Sequence, residues 1–374
     1  MYLIALKMLF GDKIKLIMLL IGLMMPVMLI AQQGGMFVGF MKMFSATVDN
    51  TRAPVWIMSK NVRFADQDIP MQDYELDSIR GVEGIEWAVP FSNVLGSIKL
   101  PGGKSEMSNV VGVDNQSFVG LPQNIVSGNP EDLRTSNAVF VDKIGMKKLG
   151  NPKIGDTFEI NEHEVKVAGI VNIPQGFQAY PAIYTTYENA KKITPFGRKK
   201  MSFILAQPKK GEDLKVLAQR IKTETNLKML TEDEMRWATY DYYNTDTSLP
   251  SIFGITILFG IIVGTIISAQ TFYTFVLENI RQFGTFKALG TSNTTLIKMI
   301  LIQSLVMATI SYFIGMGLIT FLATLCVGDG TLEFIVPIPL MLFAFVAVVG
   351  ASILASLFSM LKVIRLEPAM VFRG

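Results

Sequence analysis

Residues that commonly carry out catalytic or metal chemistry are scarce in this sequence. It holds one histidine, His163, and one cysteine, Cys326, which excludes a two-histidine metal site and an intrachain disulfide. His163 falls in a predicted hairpin turn, where a solvated surface position is expected. Two carboxylate pairs also fall in polar turns, which favours solvated faces over acid–base work: Glu162 with Glu164, and Asp66 with Asp68. We therefore predict no catalytic site and no metal site.

A phosphate-binding loop is also missing from the sequence. No G-x-x-x-x-G-K-[ST] pattern occurs, and that pattern supplies the backbone amides and the lysine that cradle ATP phosphates. Gly34, Gly35 and Gly39 lie in an apolar run without such a lysine, so we interpret them as packing or kink positions. We predict that this chain binds no cofactor and does not itself hydrolyse ATP.

Long uncharged runs indicate a membrane protein. Half of the 374 residues are apolar and only 17% are charged, which is too few charges for an ordinary soluble enzyme. Four intervals each exceed the ~20 apolar residues that a helix needs to cross a bilayer: Lys15 to Lys42, Asp246 to Glu278, Lys298 to Asp329, and Glu333 to Lys362. We predict transmembrane helices at 16–41, at 247–277 (including a stalk), at 294–327 and at 334–361.

The first apolar run also has features of a secretory signal, because basic residues precede its apolar core. Leu29 is poorly suited to the position three residues before a cut at Ala31, and the uncharged run continues to Lys42. These features favour a membrane span over a cleaved signal.

The distribution of basic residues predicts the orientation of the spans. Lysines and arginines flank the spans on one side, and such residues concentrate on the cytoplasmic side of membrane proteins. They are Lys7, Lys13 and Lys15; Arg281, Lys287 and Lys298; and Lys362, Arg365 and Arg373. We therefore expect segments 1–15, 278–293 and 362–374 in the cytoplasm, and segments 42–246 and 328–333 outside. This bias explains most of the net charge of +3, so we predict no nucleic-acid partner.

The large outer segment predicts a folded α+β domain. Asp73 can cap a short helix that carries Leu76 and Ile79, ahead of a strand at Trp87–Val89. A second strand–helix pair follows late in the segment, as "MSFILAQ" and then "GEDLKVLAQRIKTET", with Leu214, Leu217 and Ile221 on one helical face. Alternating residues between the two pairs predict a β-rich insertion at about 101–198. The predicted fold is thus an α-helical membrane protein with four transmembrane helices and a large α+β extracytoplasmic domain inserted between helices 1 and 2.

Small residues recur at four-residue spacing within two predicted spans. Gly260, Gly264 and Ser268 share one face of the second span, and Ala351, Ala355 and Ser359 share one face of the fourth. Small faces let helices approach closely in lipid. The pattern fits either packing among the chain's own helices or the seam of a homodimer. No span carries an internal acid or base, which argues against a proton relay.

A short amphipathic helix is predicted between the second and third spans, at 278–293. Its apolar and charged residues alternate with helical spacing: Ile280, Phe283, Phe286 and Leu289 are apolar, and Glu278, Arg281 and Lys287 are charged. Gly290 is suited to end this helix and Ser292 to cap the next one. A capped amphipathic helix in the cytoplasm either lies on the lipid surface or docks into a partner's groove.

The amino-acid sequence of this segment resembles that of a known family. "ENIRQFGTFKALGTSNTTL" resembles the segment that joins the second and third spans of FtsX/MacB-type ABC permeases, and "LEPAMVFRG" resembles their C-terminal ending. "AQQGGMFVGF", "PVWIMS", "VEGIEWAVPF", "VVGVD" and "AQTFYTFVLENIRQFGTFKALG" resemble the DevC-type exporter permeases. The similarity covers almost the whole chain. It departs from the family pattern at Gln282–Phe283 and at Thr291.

The resemblance implies a non-catalytic permease subunit in the inner membrane, with both termini cytoplasmic and the large domain periplasmic. Two copies would pair with two separate ABC ATPase subunits, in which ATP and Mg act. Each ATPase would grip a coupling helix, where we expect Phe283 and Phe286 to anchor the contact and the charged residues to orient it.

The same resemblance implies export of a lipid, a glycolipid or another hydrophobic cargo, with a periplasmic adaptor and an outer-membrane channel as further partners. The alternative is an FtsX-like regulator that transmits ATP-driven motion to an external enzyme and transports nothing.

Overall fold

The structure is a computed structural model that describes residues 2–100, 103–194, 200–326 and 334–364. It divides into two compact units. Of the described residues, 2–39, 249–326 and 334–364 belong to the membrane unit, and those from 40 to 248 belong to the outer unit. The predicted external loop 328–333 and the tail beyond residue 364 lie outside the described residues, as do the ends of the predicted insertion at 101–102 and 195–198.

Eleven α-helices lie in the described residues. They are α1 (Tyr2–Phe10), α2 (Lys13–Phe44), α3 (Ala46–Thr51), α4 (Asp73–Gly81), α5 (Tyr187–Ile193), α6 (Leu214–Thr225), α7 (Glu232–Thr245), α8 (Leu249–Glu278), α9 (Ile280–Ala288), α10 (Asn293–Cys326) and α11 (Ile338–Ile364). Four of them, α2, α8, α10 and α11, are long and apolar enough to cross a membrane. In chain order, every described strand falls between α2 and α8.

Within the membrane unit, α2 and α8 approach closely along a seam of small residues. A Cβ atom added at Gly264 would overlap Pro26, and one added at Gly260 would lie 3.3 Å from Leu29 Cβ. Ser268, the third member of the predicted small face, is also buried. This face of α8 therefore packs against the chain's own first span. The small face of α11 is likewise buried within the unit, at Ala351, Ala355 and Ser359.

Replacing Gly264 by alanine should destabilise the membrane unit, because the added methyl group has no room beside Pro26. Overpacking of this kind typically costs about 1–3 kcal/mol. Gly254 is the matched control, since it lies in the same helix and a Cβ there would meet nothing within 4 Å. Thermal unfolding of the detergent-solubilised chain should show a lower midpoint for Gly264→Ala and none of this loss for Gly254→Ala. Equal midpoints for the two variants would contradict the seam.

The outer unit is built on one large mixed β-sheet. The strands are β1 (Val55–Ser59), β2 (Met71–Gln72), β3 (Ile85–Lys99), β4 (Ser105–Val113), β5 (Ile125–Ser127), β6 (Ala138–Asp142), β7 (Thr157–Ile160), β8 (His163–Val171), β9 (Ala182–Thr186), β10 (Lys200–Met201), β11 (Phe203–Pro208) and β12 (Leu227–Thr231). Ten of them form a sheet in the order β12-β1-β11-β3-β4-β9-β6-β8-β5, with β7 paired to both β3 and β8. The pairs β4–β9 and β6–β8 are parallel, and the other pairs of this sheet are antiparallel.

Strand β1 shows how the sheet is covered on both faces. Val55 and Ile57 pack into a cluster with residues of α4 and α6. Trp56 and Met58 pack into a second cluster, which includes residues of α3 and α7. Successive side chains of a strand point to opposite faces, so a strand with helices on both sides reads as one continuous apolar run.

The two predicted helices of the outer domain begin slightly differently from expectation. Asp73 is the first residue of α4 rather than its cap, because Gln72 caps this helix in a reciprocal capping box with Glu75. Asp213 caps α6 and accepts hydrogen bonds from the amides of Lys215 and Val216. Leu214 therefore sits in the first turn and is exposed, whereas the other predicted face residues of α6 are buried.

Strand β3 is much longer than the predicted strand at 87–89, with 15 residues. Its first part pairs with β11, where Val89 lies opposite Leu205, and its second part pairs with β4, where Leu95 lies opposite Asn109. The strand continues through Pro90, a residue that usually marks the end or the edge of a strand. Because of this continuity, the β-rich insertion shares one sheet with the rest of the outer unit.

The predicted hairpin around "NEHE" is confirmed. Strands β7 and β8 pair antiparallel with Ile160 opposite His163, which leaves Asn161 and Glu162 as a two-residue turn. Both turn residues have positive φ angles, of 47° and 67°. This is the conformation that tight two-residue hairpins require.

Helix α7, which precedes α8 in the chain, contacts the rest of the outer unit through an ion pair and through aromatic stacking. Arg236 of α7 reaches Asp49 of α3 at 2.9 Å. Tyr243 of α7 stacks on Phe44 with ring centroids 3.8 Å apart. The segment before α8 is thus held to the last residue of α2 and to α3.

Candidate coupling surface

The short helix α9 follows α8 after a single residue, Asn279. The Asn279 side chain donates a hydrogen bond to the Phe275 carbonyl at 2.8 Å, and the backbone carbonyl of Asn279 accepts from the amides of Gln282 and Phe283. Asn279 is buried, and its hydrogen bonds to residues of α8 and of α9 hold the junction between the two helices in place.

The other end of α9 is closed by Gly290. Gly290 has φ of +86°, the amide of Thr291 bonds the Phe286 carbonyl at 3.0 Å, and the amide of Gly290 bonds the Lys287 carbonyl at 3.1 Å. This is the hydrogen-bond pattern of a Schellman motif. Ser292 then accepts a hydrogen bond from the Thr295 amide at 3.3 Å, at the start of α10. The predicted end at Gly290 and the predicted restart at Ser292 are both confirmed.

Phe283 faces the chain's own membrane unit. Its side chain is only 1% exposed and packs in a cluster with residues of α1, α2, α8, α10 and α11. Phe286 is partly buried and packs against the same cluster. This placement corrects the expectation that Phe283 anchors a partner's groove, because the side chain is out of any partner's reach. It anchors α9 to the membrane unit instead.

A different face of α9 is open. Arg281, Thr285, Ala288 and Leu289 are exposed, and their spacing of four, three and one places them on one side of a helix. Leu289 is 77% exposed, the largest exposed apolar side chain of this segment. We call these four residues the open face of α9. The predicted residues Ile280 and Lys287 are only partly buried and lie outside it.

Glu278, the last residue of α8, forms an ion pair within the membrane unit. Its carboxylate lies 3.5 Å from the Lys15 ammonium of α2, and the same ammonium lies 3.6 Å from Asp12. All three side chains are partly exposed, so the contribution to stability is small. The pair holds the start of α2 beside the end of α8, just before α9 begins.

Other chemistry-bearing residues belong to the outer unit. His163, Glu162 and Glu164 are exposed at the β7–β8 hairpin. Asp66, in contrast, is partly buried and accepts a hydrogen bond from Thr47 at 2.5 Å, so the prediction of a solvated turn is wrong for this residue. Among the described residues, no group of three or more histidine, cysteine or acidic side chains could hold a metal ion.

Asp142 is a buried carboxylate that sequence reasoning missed. It ends β6 and accepts hydrogen bonds from the amides of Gly145 and Ala182. Burial raises the pKa of this carboxyl. Its bonds to these two backbone amides, one of them at the start of β9, indicate a structural role in the outer unit. An aspartate directly after the apolar run "AVFV" was the signal that could have marked it.

Two family models match the chain. The model described as "MacB-like periplasmic core domain" matches residues 16–224, just over half of the chain. The model described as "FtsX-like permease C-terminal" matches residues 254–368. The chain is therefore a membrane subunit of the ABC transporter permease class, and it belongs to the MacB/FtsX family of these permeases.

Similar proteins of known sequence carry the same class name. An uncharacterized ABC transporter permease of Mycobacterium tuberculosis is 23% identical over 82% of this chain and 80% of its own length. An uncharacterized ABC transporter permease of Methanocaldococcus jannaschii is 24% identical over 41% of this chain and 39% of its own length.

Two solved structures resemble the chain at low identity. The periplasmic region of MacB from Actinobacillus actinomycetemcomitans is 16% identical over 50% of this chain and 91% of that chain, with a TM-score of 0.39. The extracellular domain of the ABC-type transporter YknZ from Gram-positive bacteria is 13% identical over 48% of this chain and 98% of that chain, with a TM-score of 0.36.

Proposed function

We propose that this chain is the membrane subunit of an ABC exporter whose energy comes from a separate cytoplasmic ATPase. The ATPase binds the open face of α9, and its ATP-driven closure is transmitted through α8 to the outer unit. Two copies of the chain form the exporter, with both termini in the cytoplasm. The cargo is a lipid, a glycolipid or another hydrophobic molecule, which passes to a periplasmic adaptor and an outer-membrane channel.

The construction of α9 carries this proposal. One side of the helix is locked into the membrane unit by Phe283, its C-terminal end is closed by the hydrogen bonds of Gly290 and Thr291, and Asn279 before its first residue bonds back to Phe275 of α8. Another side presents Arg281 near its start and Leu289 at its end, and both side chains are exposed. A rigid helix with a free face can pass a force to the spans on either side, whereas a loose loop would absorb it.

An export assay tests the proposal directly. Cells that produce the wild-type chain, or the chain with Leu289→Ala, are compared for the lipids and glycolipids in their outer membrane. We expect at least one lipid class to fall in the variant and to accumulate in the inner membrane. Unchanged lipid distribution, together with lost activity of an external cell-wall hydrolase, would replace the exporter by the FtsX-like regulator.

Reporter fusions should reveal the proposed orientation. Reporters at His163 and in the 328–330 loop are expected to be external, and reporters at Gly284 and Gly374 internal, because the basic residues of the flanks keep those segments in the cytoplasm. Compartment-specific activity of the reporters is the measurement. An internal reporter at His163 in an inserted, functional chain would reject the orientation.

A further inference from the structure

The membrane unit contains a cavity of about 240 Å³ between the start of α2 and the end of α8, which no step of the proposed coupling uses. Polar and apolar side chains share its wall, among them Lys15 and Met18 of α2 and Gln270, Thr274, Phe275 and Glu278 of α8. The volume is below the range of about 300–1,000 Å³ that is common for sites enclosing a whole small molecule. The cavity therefore suits the polar end of a longer molecule.

Both signs of charge meet at this cavity. The Lys15 ammonium lies 3.5 Å from the Glu278 carboxylate and 3.6 Å from the Asp12 carboxylate. Both distances exceed the length of about 2.7–2.9 Å that is usual for a charge-assisted hydrogen bond. In the part of the chain that the structure describes, the Lys15 ammonium donates no hydrogen bond. The two charges of the wall attract each other, yet both keep hydrogen-bonding capacity for a third group.

Gln270 is a polar side chain in an apolar setting. It precedes Glu278, the last residue of α8, by eight residues, which is about 12 Å along the helix axis. Its side chain is exposed on a helix that is long and apolar enough to cross a membrane, and it forms no hydrogen bond with the residues that the structure describes. An unpaired amide is costly in an apolar medium, so a polar partner from outside the described chain is expected here.

The Thr274 hydroxyl is a second group of the same wall that lacks a partner. Other threonines of α8 bond back into their own helix, since the hydroxyls of Thr265 and Thr271 donate to the carbonyls four residues earlier at 2.8 and 2.7 Å. Thr274 is partly buried but makes no such bond to any described residue. Its hydroxyl is therefore available to a molecule in the cavity.

The order of side chains along this side of α8 matches the order of groups in a phospholipid. Ile262, Ile266, Gln270, Thr274 and Glu278 follow one another at four-residue spacing, so they share one side of the helix, with steps of about 6 Å along its axis. Ile262 and Ile266 are 45% and 62% exposed. Apolar side chains, an amide, a hydroxyl and a carboxylate thus succeed one another. A phospholipid presents acyl chains, ester groups, a phosphate and the end of its headgroup in the same order.

We propose that this cavity binds the headgroup of a phospholipid with a primary amine, of the phosphatidylethanolamine type. The Glu278 carboxylate accepts hydrogen bonds from the ligand's ammonium group, and the Lys15 ammonium binds the phosphate together with the Thr274 hydroxyl. The Gln270 amide donates to an ester carbonyl, and an acyl chain lies along Ile266.

Other headgroups fit this wall less well. The phosphate of a purely anionic headgroup would meet the carboxylates of Glu278 and Asp12 with no positive charge of its own. A choline headgroup has no N–H group that could donate to Glu278. The site does not depend on the proposed export function.

Native mass spectrometry of the full chain, titrated in detergent with single lipids, tests this site. The probes are phosphatidylethanolamine, phosphatidylcholine and phosphatidylglycerol with identical acyl chains. We expect the first bound phosphatidylethanolamine to bind at least about tenfold more tightly than either of the other lipids, because hydrogen bonds to charged groups are worth that much.

Substitutions on the wall separate the contributions of its groups. Glu278→Gln and Lys15→Met should each weaken phosphatidylethanolamine binding by about tenfold, and Glu278→Gln should also reduce the preference over phosphatidylcholine. Gln270→Leu should weaken binding by about fivefold, the usual effect of one neutral hydrogen bond. Gln32→Leu is the matched control, because Gln32 is an exposed glutamine of α2 that does not line the cavity, and it should bind as the wild type does. Circular dichroism of each variant verifies that it is folded.

Three results would overturn the proposal. The first is equal affinity of the folded wild-type chain for the three lipids, which would mean that the cavity does not select a headgroup. The second is tightest binding of phosphatidylglycerol, because the lysine alone would then determine the selection. The third is equal phosphatidylethanolamine affinity of the Gln270 and Gln32 variants. Because none of these measurements involves ATP or the ATPase, their failure leaves the proposed export function intact.

Discussion

Truncating Phe283 to alanine is expected to destabilise the membrane unit by about 3–5 kcal/mol, the usual cost of removing a fully buried aromatic ring. The ring is 1% exposed and packs among residues of five other helices, so its removal leaves a cavity where these helices meet. Unfolding of the purified chain in mixed micelles, followed by circular dichroism, measures the loss. Thr285→Ala is the matched control, because Thr285 lies half a turn away and is exposed.

The control should change stability by no more than about 0.5 kcal/mol, as is usual for exposed positions. A different pattern would contradict the placement of the ring. If Phe283→Ala is as stable as Thr285→Ala and yet loses the ATPase subunit, then Phe283 faces the partner and not the membrane unit.

Truncating Leu289 to alanine should leave the stability of the chain unchanged but weaken its binding of the ATPase, in contrast to Phe283→Ala. Leu289 is 77% exposed, so the fold loses little when its side chain is shortened. An apolar anchor at the centre of a small interface contributes about 2 kcal/mol, which corresponds to roughly a 30-fold loss of affinity. The measurement is retention of the ATPase by the purified chain at several ATPase concentrations.

Leu3→Ala supplies a matched control for Leu289→Ala. Leu3 is 76% exposed on α1, so the same substitution removes a similarly exposed leucine outside α9. We expect the Leu3 variant to retain the ATPase as the wild type does. Equal retention by the Leu289 and Leu3 variants would show that the open face of α9 does not bind the ATPase.

The contrast between Phe283 and Leu289 shows what the sequence of this segment determines. Helical periodicity identified an apolar face, and the residues Gly290 and Ser292 correctly marked where α9 ends and α10 begins. Periodicity does not say which surface an apolar face packs against. The aromatic ring of Phe283 is buried in the chain's own core, whereas Leu289 at the end of the helix is exposed.

Elsewhere in the chain, too, the sequence identified an element but not the residues that it packs against. Length and apolar composition were sufficient to identify four helices that could span a membrane, because spanning a bilayer imposes a strong constraint on sequence. The packing partner of Gly264 was left open, and only the structure shows the first span against it. The extent of β3 was underestimated because Pro90 is a poor strand residue taken alone, whereas in the sheet it lies opposite Ile204 of β11.

Asp66 shows a further limit, which concerns polar residues. An acidic residue in a polar stretch is usually solvated, and the prediction followed that rule. The hydrogen bond to Thr47 comes from 19 residues away in the chain, so no local pattern could have revealed it. Long-range partners of this kind can only be read from the fold.

The central claim is that this chain couples to an ATPase that it does not contain, and phosphate release in proteoliposomes tests it most directly. The chain alone, the chain with its ATPase, and the Leu289→Ala chain with the same ATPase are compared at equal protein concentration. We predict no ATP hydrolysis by the chain alone, hydrolysis by the wild-type complex that depends on export cargo, and loss of that cargo dependence with Leu289→Ala. Hydrolysis that stays with the chain after every other subunit is removed would contradict the account.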